Sequence, residues 1–221
     1  MIMNSIVEAY HPARRILVYL PLGAVLLFCL IYALAFTSIY SSEHAYQASS
    51  RWMYANLPHR ARISGVHWDD WLPLALPGHP SDYFRNQGEL PLYEADTPVK
   101  VQIIAEKLSR TDFFILPTQR LQGAIPRRPL EFPYTTNFFR LLFAEQLGFR
   151  LIKTFKVHPA FLFFQFDDQL ADESFSVYDH PKVSIFKNEQ KLTAAALRTA
   201  IMSPPQAGSP TLTDIMLKEA P

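Results

Sequence analysis

The chain has 221 residues and a formal net charge of +1 at pH 7, with 21 Lys and Arg against 20 Asp and Glu. That balance gives no basic excess that argues for a nucleic-acid partner, and a single cysteine, Cys29, excludes an internal disulfide. The 18 prolines, 7 glycines, 17 Phe and 10 Tyr describe rigid connections around a packed core, not a flexible low-complexity chain. The length allows one ordinary domain plus a membrane segment.

Residues Ile16–Phe36, ILVYLPLGAVLLFCLIYALAF, form an uncharged apolar run of 21 residues. As a helix it would rise about 30 Å, the thickness of the hydrocarbon core. Pro21 falls near its start, where a missing N–H costs least. Arg14 and Arg15 precede it, with His11 close by, while Thr37, Ser38, Tyr40 and Glu43 follow. The positive-inside rule then places residues 1–15 in the cytoplasm, 16–36 across the cell membrane as a single pass, and the remainder outside. A cleaved signal would share the basic flank, and Ala33-Leu34-Ala35 imitates a cleavage site, but signal cores span about 7–15 residues. A buried soluble helix of this length would normally carry polar residues.

Residues 41–202 are expected to form an extracytoplasmic α/β domain. Ser41–Asn56 lacks Gly and Pro, sets Ala48, Trp52 and Ala55 on one face, and ends at Pro58. Arg62–Trp68, RISGVHW, predicts a first strand with Asp69-Asp70 at or just past its end. Trp71–Glu94 is rich in Pro and Gly and predicts an irregular loop of the kind that often covers a site. Thr97 caps a helix that has Pro98 in its first position and Val101, Ile104, Ala105 and Leu108 at helical spacing. Asp112–Leu116 predicts a second buried strand and Thr118–Pro133 another loop. Thr135 or Thr136 would cap a helix through Leu147, stopped by Gly148. Phe149–Val157 and Ala160–Phe166 predict neighbouring strands. Phe175–Tyr178 and Lys182–Phe186 predict a hairpin with His180 at its tip, and Asn188–Met202 a last helix. The tail, residues 203–221 with Pro204, Pro205 and Pro210, is expected to be loose. Alternation first, then antiparallel strands, predicts a small α/β domain with a mixed sheet.

Candidate ligand contacts are His67, Trp68, Asp69, Asp70 and Trp71. Ligands of open α/β sheets bind outside the carboxyl ends of strands, where these aspartates would fall. Neighbouring carboxylates can hold a cation, accept from sugar hydroxyls or share a proton. The opposing reading makes Asp69 or Asp70 a turn cap and Trp68 and Trp71 core residues, and adjacent side chains on a strand point apart. Arg120, Arg127 and Arg128 are candidate phosphate contacts, since an arginine fork matches phosphate oxygens. Asp167, Asp168, Asp172 and Glu173 form a second acidic cluster, expected to be a solvated turn. The seven histidines lack helical spacing and cysteine partners, so no metal site is expected. No Gly-rich phosphate loop, G-x-S-x-G elbow or Asp-x-Asp pair is present, so no cofactor and no catalytic residue is assigned.

The phrases ASSRWMYANLP, HWDDWLPLALPG, ELPLYEADTPVKVQIIAEKLSRTDFFILPTQRLQGAIPRRP and ADESFSVYDHPKVSIFKN carry a resemblance over roughly residues 20–190. They resemble the C-terminal end of bacterial multi-span polyprenyl-phosphate-sugar glycosyltransferase-like membrane proteins. That group includes the protein mannosyltransferase-like and aminoarabinose-transferase-like enzymes and the membrane proteins named for a YYY motif. The resemblance implies a C-terminal domain that packs over a membrane part. The family's catalytic carboxylates belong to a loop after the first membrane helix, and they have no counterpart in this chain. The expected role is therefore a membrane-anchored module without the catalytic part. Its expected partners are the lipid bilayer, a multi-span transferase portion and a lipid-linked sugar. The chain would then be a piece of a larger transferase or a separate subunit. The alternative is a single-span scaffold or interaction protein with no sugar chemistry.

Overall fold

The computed structural model describes residues 12–80, 82–204, 208 and 210–220, with side chains from residue 19 onward. The expected cytoplasmic segment lies outside the described residues from 1 to 11. The chain divides into two compact units, residues 12–41 with 158–166, and residues 42–157 with 167–220.

In the first unit, α1 (Pro12–Thr37) continues into a 3-10 turn, Ser38–Ser41. Helix α1 is long and apolar enough to cross a membrane. Leu20, Leu22, Val25, Leu26, Leu27 and Leu30 are each more than half exposed, so its apolar surface is not spent on a protein core. The same unit holds a short hairpin, β5 (Ala160–Phe161) and β6 (Phe164–Gln165), with Ala160 opposite Gln165 and Phe161 opposite Phe164. The expected strand Ala160–Phe166 is thus no neighbour of Phe149–Val157. It folds back on itself through Leu162, whose φ is +56°.

The second unit is a mixed five-stranded sheet with helices. Its strands are β1 (Arg62–Val66), β2 (Arg85–Leu90), β3 (Phe113–Leu116), β4 (Phe149–Phe155) and β7 (Val183–Asn188), in the order β2-β1-β3-β7-β4. Strand β1 is parallel to both β2 and β3, whereas β7 is antiparallel to β3 and β4. The helices are α2 (Ala45–Asn56), α3 (Pro98–Arg110), α4 (Arg120–Ala124), α5 (Pro133–Phe143), α6 (Glu173–Ser176), α7 (Ala194–Met202) and α8 (Leu212–Leu217). Alternation along β3 builds two cores. Phe114 and Leu116 join the apolar faces of α3, α5 and α7, while Phe113 and Ile115 join Met53 of α2 with Ile63, Val183 and Ile185.

Local signals explain α3: the Thr97 side chain accepts from the Lys100 N–H at 3.2 Å, and Pro98 opens the helix. Gly148, at φ +76°, permits the turn that separates α5 from β4. Other expectations are corrected by partners distant in sequence. The cap of α5 is neither Thr135 nor Thr136. The Asp96 carboxylate accepts from the N–H groups of Tyr134 and Thr135 at 2.6 and 3.2 Å, and pairs with the buried Lys100 ammonium at 2.9 Å. The expected loop Trp71–Glu94 contains the edge strand β2, whose polar RNQGEL sequence hides it because parallel pairing to β1 uses the backbone. The expected loop Thr118–Pro133 contains α4 and a 3-10 turn, Ile125–Arg127.

The hairpin expected over residues 175–186 does not form. Asp172 accepts from the Ser174 N–H at 3.2 Å and starts α6 in its place. His180 is no exposed tip: it is 1% exposed, and its Nε2 lies 3.0 Å from Asp168 Oδ2. The last expected helix starts later: β7 runs to Asn188, residues 189–193 form the connection, and α7 begins after the Thr193 cap. The tail is not loose where it is described. Thr211 and Asp214 form a capping box for α8, and Ile215 and Met216 are buried.

Asp112 locks the start of β3 to β1. Its carboxylate accepts from Arg62 Nη2 at 2.8 Å, Nε at 3.0 Å and the backbone N–H at 2.9 Å, and from Lys191 Nζ at 2.5 Å. The Arg62 bonds, ahead of Lys191, hold this carboxyl well below the usual carboxylate range. Its stabilising contribution is therefore complete above the unfolded value of 3.8 and is lost as pH falls further. Asp112→Asn should cost about 1–2 kcal/mol at pH 7, moderated by partial exposure. It should also flatten the loss of stability below about pH 4. Thermal unfolding of the full chain in detergent from pH 3 to pH 7 checks both; an unchanged acid limb would remove Asp112 from this role.

Candidate functional site

Two features of the sheet determine where a site can form. The chain leaves β1 to pair with β2 on one side, then crosses through α3 to β3 on the other side. The carboxyl ends of β1 and β3 are thus adjacent and parallel, and the loops that leave them diverge, the geometry of a topological switch point. The loop after β1 carries Trp68, Asp69 and Asp70, and the one after β3 carries Thr118 and leads into α4 at Arg120.

Asp69 points inward. Its side chain is 3% exposed, with Oδ2 accepting from Thr118 Oγ1 at 2.8 Å and Oδ1 from Arg120 Nε at 3.1 Å. Burial raises its pKa, while the Thr118 and Arg120 bonds oppose that rise. Arg120 is further set by its own N–H, which donates to Thr118 Oγ1 at 3.1 Å, and by the Tyr178 ring 5.1 Å from its guanidinium carbon. Burial works against the Arg120 charge, but Tyr178 and Asp69 outweigh it and the pKa is raised.

Asp70 is exposed and faces a cleft of about 640 Å³ lined by His44, Tyr46, Trp68, Asp69, Arg120 and Tyr178, with Val177 completing the wall. His44 is the cap of α2: its Nδ1 accepts from the Tyr46 N–H at 3.2 Å. The other ring nitrogen therefore carries the proton and donates to the Tyr178 carbonyl at 3.3 Å. Burial, together with the nearby Asp69 and Asp70 charges, pushes the Tyr46 hydroxyl pKa upward, so it stays a neutral donor.

Trp68 is 63% exposed and has φ +84°, a left-handed conformation that a bulky side chain rarely adopts. It divides the main cleft from a hollow of about 260 Å³ that it shares with Tyr93, Leu121, Ala124, Glu173 and Arg120. Trp68 and Arg120 line both.

The five residues of the HWDDW stretch separate. Trp68, Asp69 and Asp70 reach the cleft. Trp71 covers β1 instead, with its ring 2.9 Å from where a Cβ on Gly65 would lie. His67 lines a different hollow with Asn86, Glu89 and Lys107. Of the arginines, Arg120 joins the cleft, whereas Arg127 pairs with Asp172 at 2.9 Å and Arg128 with Glu131. The second acidic cluster is dispersed among the His180 contact, the α6 cap and the Arg127 pair. Among the described residues no three His, Cys, Asp or Glu side chains gather as a metal site. Sequence spacing did not point to His44, Tyr46, Thr118 or Tyr178. Only the position of Thr118 and Arg120 just beyond a buried apolar strand carried a signal for them.

No protein-family model, curated protein or solved structure matches the chain. The chemistry of the cleft is therefore drawn from its own geometry: an exposed carboxylate, a fixed guanidinium, a neutral phenol and aromatic faces.

Removal of the Arg120 charge should leave Asp69 buried with Thr118 alone. Arg120→Gln should cost about 1–3 kcal/mol at pH 7, less than a fully buried pair because the arginine is 29% exposed. The Asp69 pKa, already raised, should rise further, so the variant loses stability as pH climbs through that value and regains it on acidification. Melting temperatures of both proteins at pH 4.5 and 7 test this, and a deficit equal at the two pH values would contradict it.

Proposed function

We propose that the chain is a membrane-anchored module whose α/β unit lies outside the cytoplasm. There it binds the sugar-type headgroup of a lipid-linked ligand in the Asp70–Arg120 cleft. In this reading it corresponds to the C-terminal module of a polyprenyl-phosphate-sugar glycosyltransferase, and the transfer chemistry resides in a multi-span portion. One observation carries the proposal: Asp70, Arg120 and Tyr46 line one cleft, flanked by the exposed rings of Trp68 and Tyr178. Sugars present hydroxyls at their rims and apolar C–H faces above and below. A carboxylate accepts from the hydroxyls, a guanidinium donates to ring or phosphate oxygens, and aromatic faces cover the C–H surfaces. The cleft volume of about 640 Å³ falls within the ~300–1,000 Å³ of small-molecule sites. The anchor rests on α1, and the outward orientation on Arg14 and Arg15 at its N-terminal side.

Trp68 supplies the test. The full chain in lipid nanodiscs, titrated with polyprenyl-phosphate hexose or aminopentose, should show saturable quenching of tryptophan fluorescence. Trp68→Phe should abolish the signal, and Asp70→Asn should weaken binding ten- to a hundredfold, the value of one hydrogen bond to a charged group. Equal binding of polyprenyl phosphate without its sugar would defeat the sugar assignment. No binding of any of these would favour the single-span scaffold.

A further inference from the structure

The hairpin β5–β6 has an apolar tip that plays no part in the cleft. Leu162, Phe163 and Phe164 are 81%, 84% and 57% exposed, three large apolar side chains in succession. Water is a poor environment for such a cluster. The unit that contains the hairpin also says what covers it. The Phe166 ring meets Tyr32 edge-on at 5.5 Å and Phe28 at 6.3 Å, and the Ala160 N–H donates to Ser38 Oγ at 2.9 Å. Ser38 directly follows α1, and Phe28 lies about 15 Å back along its axis at 1.5 Å per residue. The hairpin therefore rests against the C-terminal half of α1, beside the same outward apolar surface that Leu26, Leu27 and Leu30 present.

We propose that β5–β6 is a second membrane-contacting element. Leu162, Phe163 and Phe164 enter the acyl-chain region of the leaflet nearest the C-terminal end of α1. The proposal rests on the reading of α1 as a membrane span and adds an occupant, lipid, for a surface continuous with it. The depth is limited by the backbone. A two-stranded hairpin has unpaired N–H and C=O groups on its outer edges, and hydrocarbon cannot satisfy them. The outer edges of the strands therefore stay out of the hydrocarbon, and it is the side chains, those of the tip and the Phe166 ring against Phe28, that enter it. The rings of Tyr32 and Phe36 at this end of α1 and of Tyr40 in the 3-10 turn follow one another, in the pattern of aromatic residues that mark a membrane interface.

Cys29 is the only cysteine, and it lies in α1, so one label can test the span and a second the hairpin. The full chain is reconstituted in liposomes that contain lipids spin-labelled at acyl carbon 5 or carbon 12. An environment-sensitive fluorophore is attached either to Cys29 or, in a Cys29→Ser background, to Phe163→Cys, with Leu162→Cys as a second variant. Both hairpin positions are highly exposed, so the fold should tolerate the substitutions. The expected result is quenching at both sites, with position 163 quenched at least twofold more by carbon 5 than by carbon 12. Quenching at Cys29 but not at 162 or 163 would overturn the hairpin proposal and leave the anchor intact. A blue-shifted but unquenched label at 163 would mean that protein covers the patch, and would overturn it equally. No quenching at Cys29 would defeat the span and the hairpin proposal together.

Discussion

A carboxylate that is 3% exposed must have partners or give up its charge, and Asp69 has two. Thr118 comes from the loop that follows β3, and Arg120 is the first residue of α4, which that loop leads into. That pairing requires β1 and β3 to be adjacent and parallel so that their carboxyl ends coincide. Parallel neighbours cannot be joined by a tight turn, so the chain must cross over, which it does through β2 and α3. The Asp69–Arg120 contact is thus a tie between two strand ends and the reason that a cleft exists there. It also fixes the guanidinium above the Tyr178 ring, so the element that follows α6 is drawn to the same place.

How much of this was legible depends on how local each cause is. Helix α3 could be read from Thr97, Pro98 and its apolar spacing because cap, first residue and buried face all lie within one segment. Strand β3 was legible as a buried apolar run, and Gly148 as a stop. The cap of α5 was not, because Asp96 reaches it from 38 residues away. Strand β2 could not be read from RNQGEL, since an edge strand needs few apolar side chains when a neighbour's backbone fixes it. Phe175–Tyr178 has the composition of a strand but follows the Asp172 cap, and the local hydrogen bond prevails over β propensity. His180 was misplaced for a related reason: its partner Asp168 is a loop residue whose position no periodicity predicts.

The site was half legible. Two aspartates past the end of a strand marked the place, because the carboxyl ends of strands are where α/β sheets receive ligands. What periodicity could not show was that the five residues would leave in different directions. Trp71 returns to cover Gly65, while Trp68 turns outward through its left-handed backbone. His44, Tyr46 and Tyr178 arrive from α2 and from the segment after α6, so their place beside Asp70 is set by tertiary packing alone.

The neighbouring aspartates divide two tasks. Asp69, tied to Thr118 and Arg120, shapes the wall; Asp70, exposed on the same turn, faces the open cleft. Each local choice at this turn is unfavourable by itself. A glycine at position 68 would relax the backbone, and an apolar pair at 69 and 120 would avoid the desolvation of two charges. A smaller polar side chain at 68 would expose less apolar area. Unfavourable choices scattered through a fold call for no single cause. Here a strained backbone, an exposed indole and a buried carboxylate tied to an arginine occupy two consecutive residues and the partner of one of them, at the switch point of the sheet. Their concentration there is expected where a surface is shaped to bind, and a turn whose only task was to reverse the chain gives no reason for it.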